Sequence, residues 1–126
     1  GTPTKIKDPS QPIVDFAERL YTTCLGRKAE ESGLNYWSFE LANLRRTGTE
    51  AAMGFFFSEE FVGLKLNNKD YITRLYRTFM GREPEKEGSE YWLSQLSGGA
   101  TRADVFYGFA TAPEFAELCS EAGIMR

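Results

Sequence analysis

The chain has 126 residues, of which 41% are hydrophobic and 26% are charged, so it is long enough for one globular domain and too apolar to be disordered. Its 14% aromatic content indicates a core built largely from rings. The net charge of −3, with basic and acidic residues interleaved, argues against a nucleic-acid partner, and no apolar run approaches the roughly 18 residues of a membrane-spanning helix.

The first segment of the chain, residues 1–12, holds Pro3, Pro9 and Pro12 among Thr, Lys and Ser. Prolines at this density interrupt helices and strands, so we expect a linker or an extended arm. Gly1 is typical of the residue that remains after a purification tag has been cleaved off.

The rest of the chain repeats itself, with residues 13–66 as copy one and residues 67–126 as copy two. The register is 55 residues until one residue is lost before Thr47 and its counterpart Thr101. The identical pairs are Arg19/Arg74, Leu20/Leu75, Tyr21/Tyr76, Thr23/Thr78, Gly26/Gly81, Arg27/Arg82, Glu30/Glu85, Gly33/Gly88, Tyr36/Tyr91, Trp37/Trp92, Leu41/Leu96, Thr47/Thr101, Gly54/Gly108, Phe55/Phe109, Glu60/Glu114 and Phe61/Phe115. So many matches indicate an internal duplication.

Each copy is predicted to form four short helices, which gives an all-α chain of about eight helices packed into one compact domain. The first helix covers about residues 13–25, where Phe16, Leu20 and Cys24 share one face. Gly26 and its counterpart stand where a left-handed residue ends a helix. No strand pattern competes with these helices.

The later helices have start signals of their own. The second helix follows Ala29 in copy one and Pro84 in copy two, a residue favoured in a first turn. Thr47 and Thr101, each with an acid three residues on, predict capping boxes that open the third helix. Ser58 and its counterpart begin a short fourth helix.

The chain offers little for catalysis or metal binding. It contains no His, which removes His-based nucleophilic machinery and His-ligated zinc, and it has no glycine-rich phosphate motif. We expect neither a cofactor nor a metal. Cys24 and Cys119 both fall on apolar helix faces, so we expect two buried free thiols and no disulfide.

An enzyme with this composition would have to use carboxylates, as glycosidases do. The candidates are Glu30, Glu31 and Glu60 in copy one, and Glu85, Glu87 and Glu114 in copy two. A catalytic pair usually arises once, at one cleft, whereas two of these pairs occur in both copies. We therefore expect structural roles and no enzymatic activity.

The repeated Gly-Arg pair has two interpretations. Arg27 and Arg82 could each clamp a ligand, because a guanidinium grips carboxylates or hydroxyls with a fixed fork. Alternatively each lies mostly buried and bonds to backbone carbonyls or to an acid of its own copy. We favour the second interpretation, with Glu60 and Glu114 as the partners.

The large aromatic residues also leave alternatives open. Trp37 and Trp92 could stack on sugar rings, but each recurs at helical spacing from a leucine, which favours buried core anchors. Phe56 and Phe57 have no aromatic counterpart in copy two. They either fill the seam between the copies, which we favour, or form an exposed partner patch.

The repeated motif resembles a bacterial repeat family, domain of unknown function 4214. The residues that carry the resemblance are Gly26, Arg27, Gly33, Tyr36, Trp37, Glu60 and Phe61 in copy one, and Gly81, Arg82, Gly88, Tyr91, Trp92, Glu114 and Phe115 in copy two. A looser similarity is to the helical linker domains of phycobilisomes.

The resemblance implies a non-catalytic accessory module of a secreted or cell-surface bacterial protein, one that binds a partner protein, a neighbouring domain or a glycan. The extracellular location follows from the resemblance alone. The alternative function is a small carbohydrate-active hydrolase that uses paired glutamates.

Overall fold

The computed structural model describes residues 6–126, and its regular structure there consists of helices alone. Copy one contains α1 (Gln11–Arg19), continued by a π-helical turn (Leu20–Leu25), then α2 (Glu31–Ala42), α3 (Gly48–Phe56) and α4 (Glu59–Gly63). Copy two contains α5 (Asn68–Leu75), continued by a π-helical turn (Tyr76–Met80), then α6 (Lys86–Ser97), α7 (Arg102–Ala110) and α8 (Pro113–Ala122). The predicted all-α fold of two four-helix copies is confirmed.

The start of the fold differs from the expected arm. Gln11 and Pro12 already belong to α1, because proline fits the first turn of a helix. Before α1 the chain is tied to the end of α2: the Lys7 amide donates to the Asn43 side chain at 2.8 Å, and that side chain donates back to the Lys7 carbonyl at 2.9 Å. Gly1 lies outside the described residues.

The predicted helix ends are largely confirmed. Thr47 and Thr101 both form complete capping boxes, and Gly26 ends its helix in the left-handed region with φ of 72°. The second helix of copy two follows Pro84 as predicted, but Pro84 lies one residue before the N-cap and not in the first turn. Glu85 is the N-cap there, with an extended backbone at ψ of 158°, and its carboxylate accepts from Arg82 in the preceding loop and does not cap the helix.

The two copies meet through reciprocal contacts, as in a symmetric dimer. Thr23 and its counterpart Thr78 share a hydrogen bond of 2.7 Å between their hydroxyls. Across the same seam, Arg19 donates to the Thr78 carbonyl at 3.2 Å, and its counterpart Arg74 donates to the Cys24 carbonyl at 2.5 Å. An interface in which equivalent residues meet has an approximate twofold axis, which passes between the two threonines.

Aromatic rings follow the same symmetry. Phe16 packs on Phe115 with ring centroids 6.3 Å apart, and their counterparts Tyr71 and Phe61 pack at 6.0 Å. Each π-helical turn carries one of the two seam threonines, so the widened turns occur where the copies touch.

The two unmatched phenylalanines have opposite environments. Phe56 is 2% exposed and packs against Phe79 and Phe106 of copy two, which confirms that it fills the seam. Phe57 is 44% exposed and packs on Phe106 from outside, so the expectation that it also fills the seam was wrong. Phe57 is the C-cap residue that follows α3, and it lies beyond the face of the helix that buries Phe55 and Phe56.

Both cysteines are buried and free, as expected. Burial raises the pKa of both thiols, that of Cys119 to about 11. Because the thiolate is the reactive form, we expect the native protein to resist alkylation without reductant, whereas the unfolded protein takes up label at both Cys24 and Cys119. Mass spectrometry of the two samples measures this. An unfolded protein that stays unlabelled would contain a disulfide and contradict the structure.

Within residues 6–126, none of the helices is both long and apolar enough to cross a membrane.

Candidate functional site

The repeated polar and aromatic residues come together in one cluster per copy, which we call the clasp. It joins the end of the first helix, the second helix and the fourth helix of its copy. The clasp of copy one consists of Tyr21, Arg27, Glu30, Trp37 and Glu60. The clasp of copy two consists of Tyr76, Arg82, Glu85, Trp92 and Glu114.

Arg27 is the centre of the first clasp. Its Nε and Nη2 donate to the two carboxylate oxygens of Glu60 at 2.6 and 2.9 Å, and its Nη1 donates to Glu30 at 2.5 Å and to the Lys28 carbonyl at 3.0 Å. The guanidinium also lies over the Tyr21 ring, 5.2 Å from its centroid. A planar fork with this many partners has little capacity left for a ligand.

Arg82 has the same arrangement in copy two. Its Nε and Nη2 donate to Glu114 at 3.3 and 3.1 Å, its Nη1 donates to Glu85, and it lies 5.2 Å from the Tyr76 ring centroid. The predicted pairing of both arginines with acids of their own copy is confirmed.

The predicted burial of the arginines was wrong. The Arg27 and Arg82 side chains remain 37% and 41% exposed, because their carboxylate partners lie at the surface. The charged groups of the clasps therefore lie at the surface, over the buried rings of Tyr21 and Tyr76.

The pKa values of Glu30, Glu60 and Glu85 are lowered in the clasps. Hydrogen bonds from Arg27 lower the pKa of both Glu30 and Glu60, and the two carboxylates in turn raise the pKa of Arg27. In copy two, a backbone N–H bond and then Arg82 lower the pKa of Glu85. Each arginine thus neutralises carboxylates that would otherwise repel each other.

Two repeated glycines make room for the clasp rings. A Cβ on Gly33 would overlap the Tyr21 hydroxyl, and a Cβ on Gly54 would lie 2.7 Å from the Trp37 indole. Sequence reasoning did not assign these glycines a role in packing. Their recurrence as Gly88 and Gly108, where copy two has the same close contacts, was the signal that could have done so.

The tryptophans are half-buried and pack against the core, so the expectation of buried core anchors was only partly correct. Trp37 packs on Phe55 with ring centroids 5.3 Å apart, and Trp92 packs on Phe109 at 5.0 Å. Each indole is partly buried and packs against the outside of the core, and α6, which carries Trp92, has no fully buried residue. Their equivalence in the two copies is confirmed.

The remaining candidate residues are not members of the clasps. Glu31 and Glu87 are exposed in the first turns of α2 and α6, where a negative charge favours the helix N-terminus. Phe61 and Phe115 are core residues. Tyr36 and Tyr91 are exposed beside the tryptophans.

Replacing Arg27 by lysine is expected to lower the melting temperature, because an ammonium group cannot reproduce the two-pronged bond to Glu60. Arg77→Lys is the matched control, since Arg77 makes a single-pronged exposed pair with Glu83. Calorimetry should show a larger decrease for Arg27→Lys than for Arg77→Lys. Equal decreases would mean that the clasp geometry adds nothing to a surface ion pair.

The clasp also predicts the direction of a pH dependence. The pKa values of Glu30 and Glu60 are lower in the folded chain than the ordinary value of about 4.3, so these groups stabilise the fold above that value. Their contribution is lost as the pH falls through the folded pKa values. We expect the double variant Glu30→Gln/Glu60→Gln to lose less stability than the wild type between about pH 5 and about pH 3. Parallel curves would contradict this.

In the part of the chain that the structure describes, no His, Cys, Asp and Glu side chains are grouped as a metal site requires. Among known proteins, a family model described as domain of unknown function (DUF4214) matches residues 8–65 and again residues 62–119. Comparisons with curated proteins and with solved structures found no match.

Proposed function

Because the chain belongs to the family described as domain of unknown function (DUF4214), in two tandem copies, we propose that it is a non-catalytic interaction module of a secreted or cell-surface bacterial protein. It holds a partner protein, a neighbouring domain or a glycan. The proposal combines the role that its resemblance implies with the chemistry of the two clasps.

The observation that carries the non-catalytic part is the saturation of the clasp arginines. Arg27 bonds to both Glu30 and Glu60, and Arg82 bonds to both Glu85 and Glu114. The duplicated acids therefore have a structural task, which explains why both copies retain them. Such a task also requires the acids to stay ionised.

A hydrolase would need the opposite electrostatics. A glycosidase general acid requires a carboxyl group whose pKa is raised, so that it stays protonated until it donates to the leaving group. The pKa values of Glu30, Glu60 and Glu85 are lowered instead. Paired glutamates of this kind are suited to holding helices together.

Binding without turnover tests the proposal. The purified protein is incubated with a panel of soluble oligosaccharides and polysaccharides, and both retention and the release of reducing ends are measured. In parallel, immobilised protein is exposed to secreted and cell-envelope proteins. We expect retention of at least one glycan or protein and no release of reducing ends.

Two outcomes would contradict this function. Release of reducing ends that is abolished in Glu60→Gln or Glu114→Gln would establish the hydrolase alternative. If the protein retained neither glycans nor proteins, the proposed interaction role would be wrong.

A further inference from the structure

We propose that Tyr36 and Tyr91 are two equivalent contact points for a neutral glycan, one on the outer surface of each copy. This inference rests on the proposed function and specifies its ligand. It follows from the roles of the repeated residues, from the geometry of the two rings and from the polar groups around them.

The other repeated residues at the surface and in the seam have structural roles. The arginines and glutamates of the clasps bind each other, and Gly33 and Gly54 make room for the clasp rings. Thr23 lies on the seam, and Thr47 caps a helix. Roles of this kind explain why a residue is the same in both copies.

Tyr36 and Tyr91 differ from these residues, because they are 48% and 56% exposed. No hydrogen bond of the described residues uses either phenol hydroxyl. Both copies therefore keep a bulky ring in contact with water although its hydroxyl makes no hydrogen bond within the fold. Such a ring is suited to contacting a ligand.

The geometry holds each ring ready for stacking. Tyr36 meets the Trp37 indole at 5.1 Å and 80° between ring planes, and Tyr91 meets Trp92 at 5.0 Å and 78°. These T-shaped contacts fix the orientation of the phenol while about half of the residue stays accessible. Little conformational entropy is then lost when the C–H face of a sugar ring stacks on the phenol.

The surroundings favour a glycan over an apolar protein surface. Glu87, Ser94 and Gln95 are exposed within one turn of Tyr91, and Ser32 is exposed one turn before Tyr36. Such hydroxyl, amide and carboxylate groups are suited to bonding sugar hydroxyls around a stacked ring. The carboxylate near Tyr91 and the net charge of −3 disfavour anionic glycans and phosphates. With more exposed polar neighbours, the Tyr91 site is the stronger of the two.

The test uses an array of neutral and anionic oligosaccharides, followed by titration of the full chain with the best neutral binder. Both indoles lie near 5 Å from the phenols, so tryptophan fluorescence reports binding. We expect the double variant Tyr36→Ala/Tyr91→Ala to bind the glycan at least about tenfold more weakly than the wild type. Of the single variants, Tyr91→Ala should lose more than Tyr36→Ala. Tyr107→Ala is the matched control, because Tyr107 is similarly exposed but is not repeated, and it should bind like the wild type.

The double variant Tyr36→Phe/Tyr91→Phe keeps both rings and should retain most of the binding, which keeps the test informative if the alanine variants fold poorly. Binding of anionic glycans only, or neutral-glycan binding that the tyrosine variants leave unchanged, would overturn the inference. Retention of a protein with no glycan binding would also overturn it, while leaving the proposed function intact.

Discussion

Replacing Phe56 by alanine is expected to lower the free energy of unfolding by about 3–5 kcal/mol. Phe56 is 2% exposed, and its ring lies 4.9 to 6.3 Å from the rings of Phe61, Tyr71, Phe79 and Phe106. Three of these four belong to copy two, so truncation would open a cavity where the copies meet. Chemical denaturation measures the loss, provided that the slope of the unfolding free energy against denaturant concentration is the same for the variant and the wild type.

The adjacent residue provides the control. Phe57→Ala removes the same number of atoms from a ring that is 44% exposed, so we expect a loss of less than about 1 kcal/mol. Similar losses at positions 56 and 57 would show that the seam is not packed as the structure describes it.

Replacing Gly33 by alanine is expected to lower the free energy of unfolding by about 1–3 kcal/mol, because the added methyl group overlaps the Tyr21 hydroxyl and forces the clasp open. The sign of the change in unfolding free energy is informative, since alanine otherwise stabilises a helix interior by about 1 kcal/mol relative to glycine. The measurement is again denaturant unfolding of the purified variant.

Gly63→Ala separates packing from helix propensity. Gly63 is the last residue of α4 and would place a Cβ in open space, so we expect no loss and a gain of at most about 1 kcal/mol. A stabilised Gly33→Ala variant would instead mean that Tyr21 moves aside without cost and that the clasp is dispensable.

The sequence was sufficient for several features whose signal is local or duplicated. The capping boxes of Thr47 and Thr101 need only an acid three residues on, and Gly26 needs only a helix end. The pairing of Arg27 with Glu60 joins the loop after the first helix to α4, yet it was predictable because both partners recur in copy two.

The remaining features depend on tertiary position, which periodicity does not encode. Trp37 and Arg27 were expected to be buried, but Trp37 lies in the outer layer of the core, and Arg27 stays partly exposed because its carboxylate partners lie at the surface. The same limit applies to the choice between Phe56 and Phe57, which depends on how α3 is rotated against copy two. The π-helical turns leave no compositional signature of their own.

The twofold axis between Thr23 and Thr78 has a consequence for how such a chain can diverge. A self-complementary surface can pair two separate identical units, but then every substitution appears on both sides at once. Joining the units in one polypeptide fixes their effective concentration, so the pairing no longer depends on how much protein is present. It also allows one side to change alone, as Phe56 illustrates, since its counterpart in copy two is Ala110.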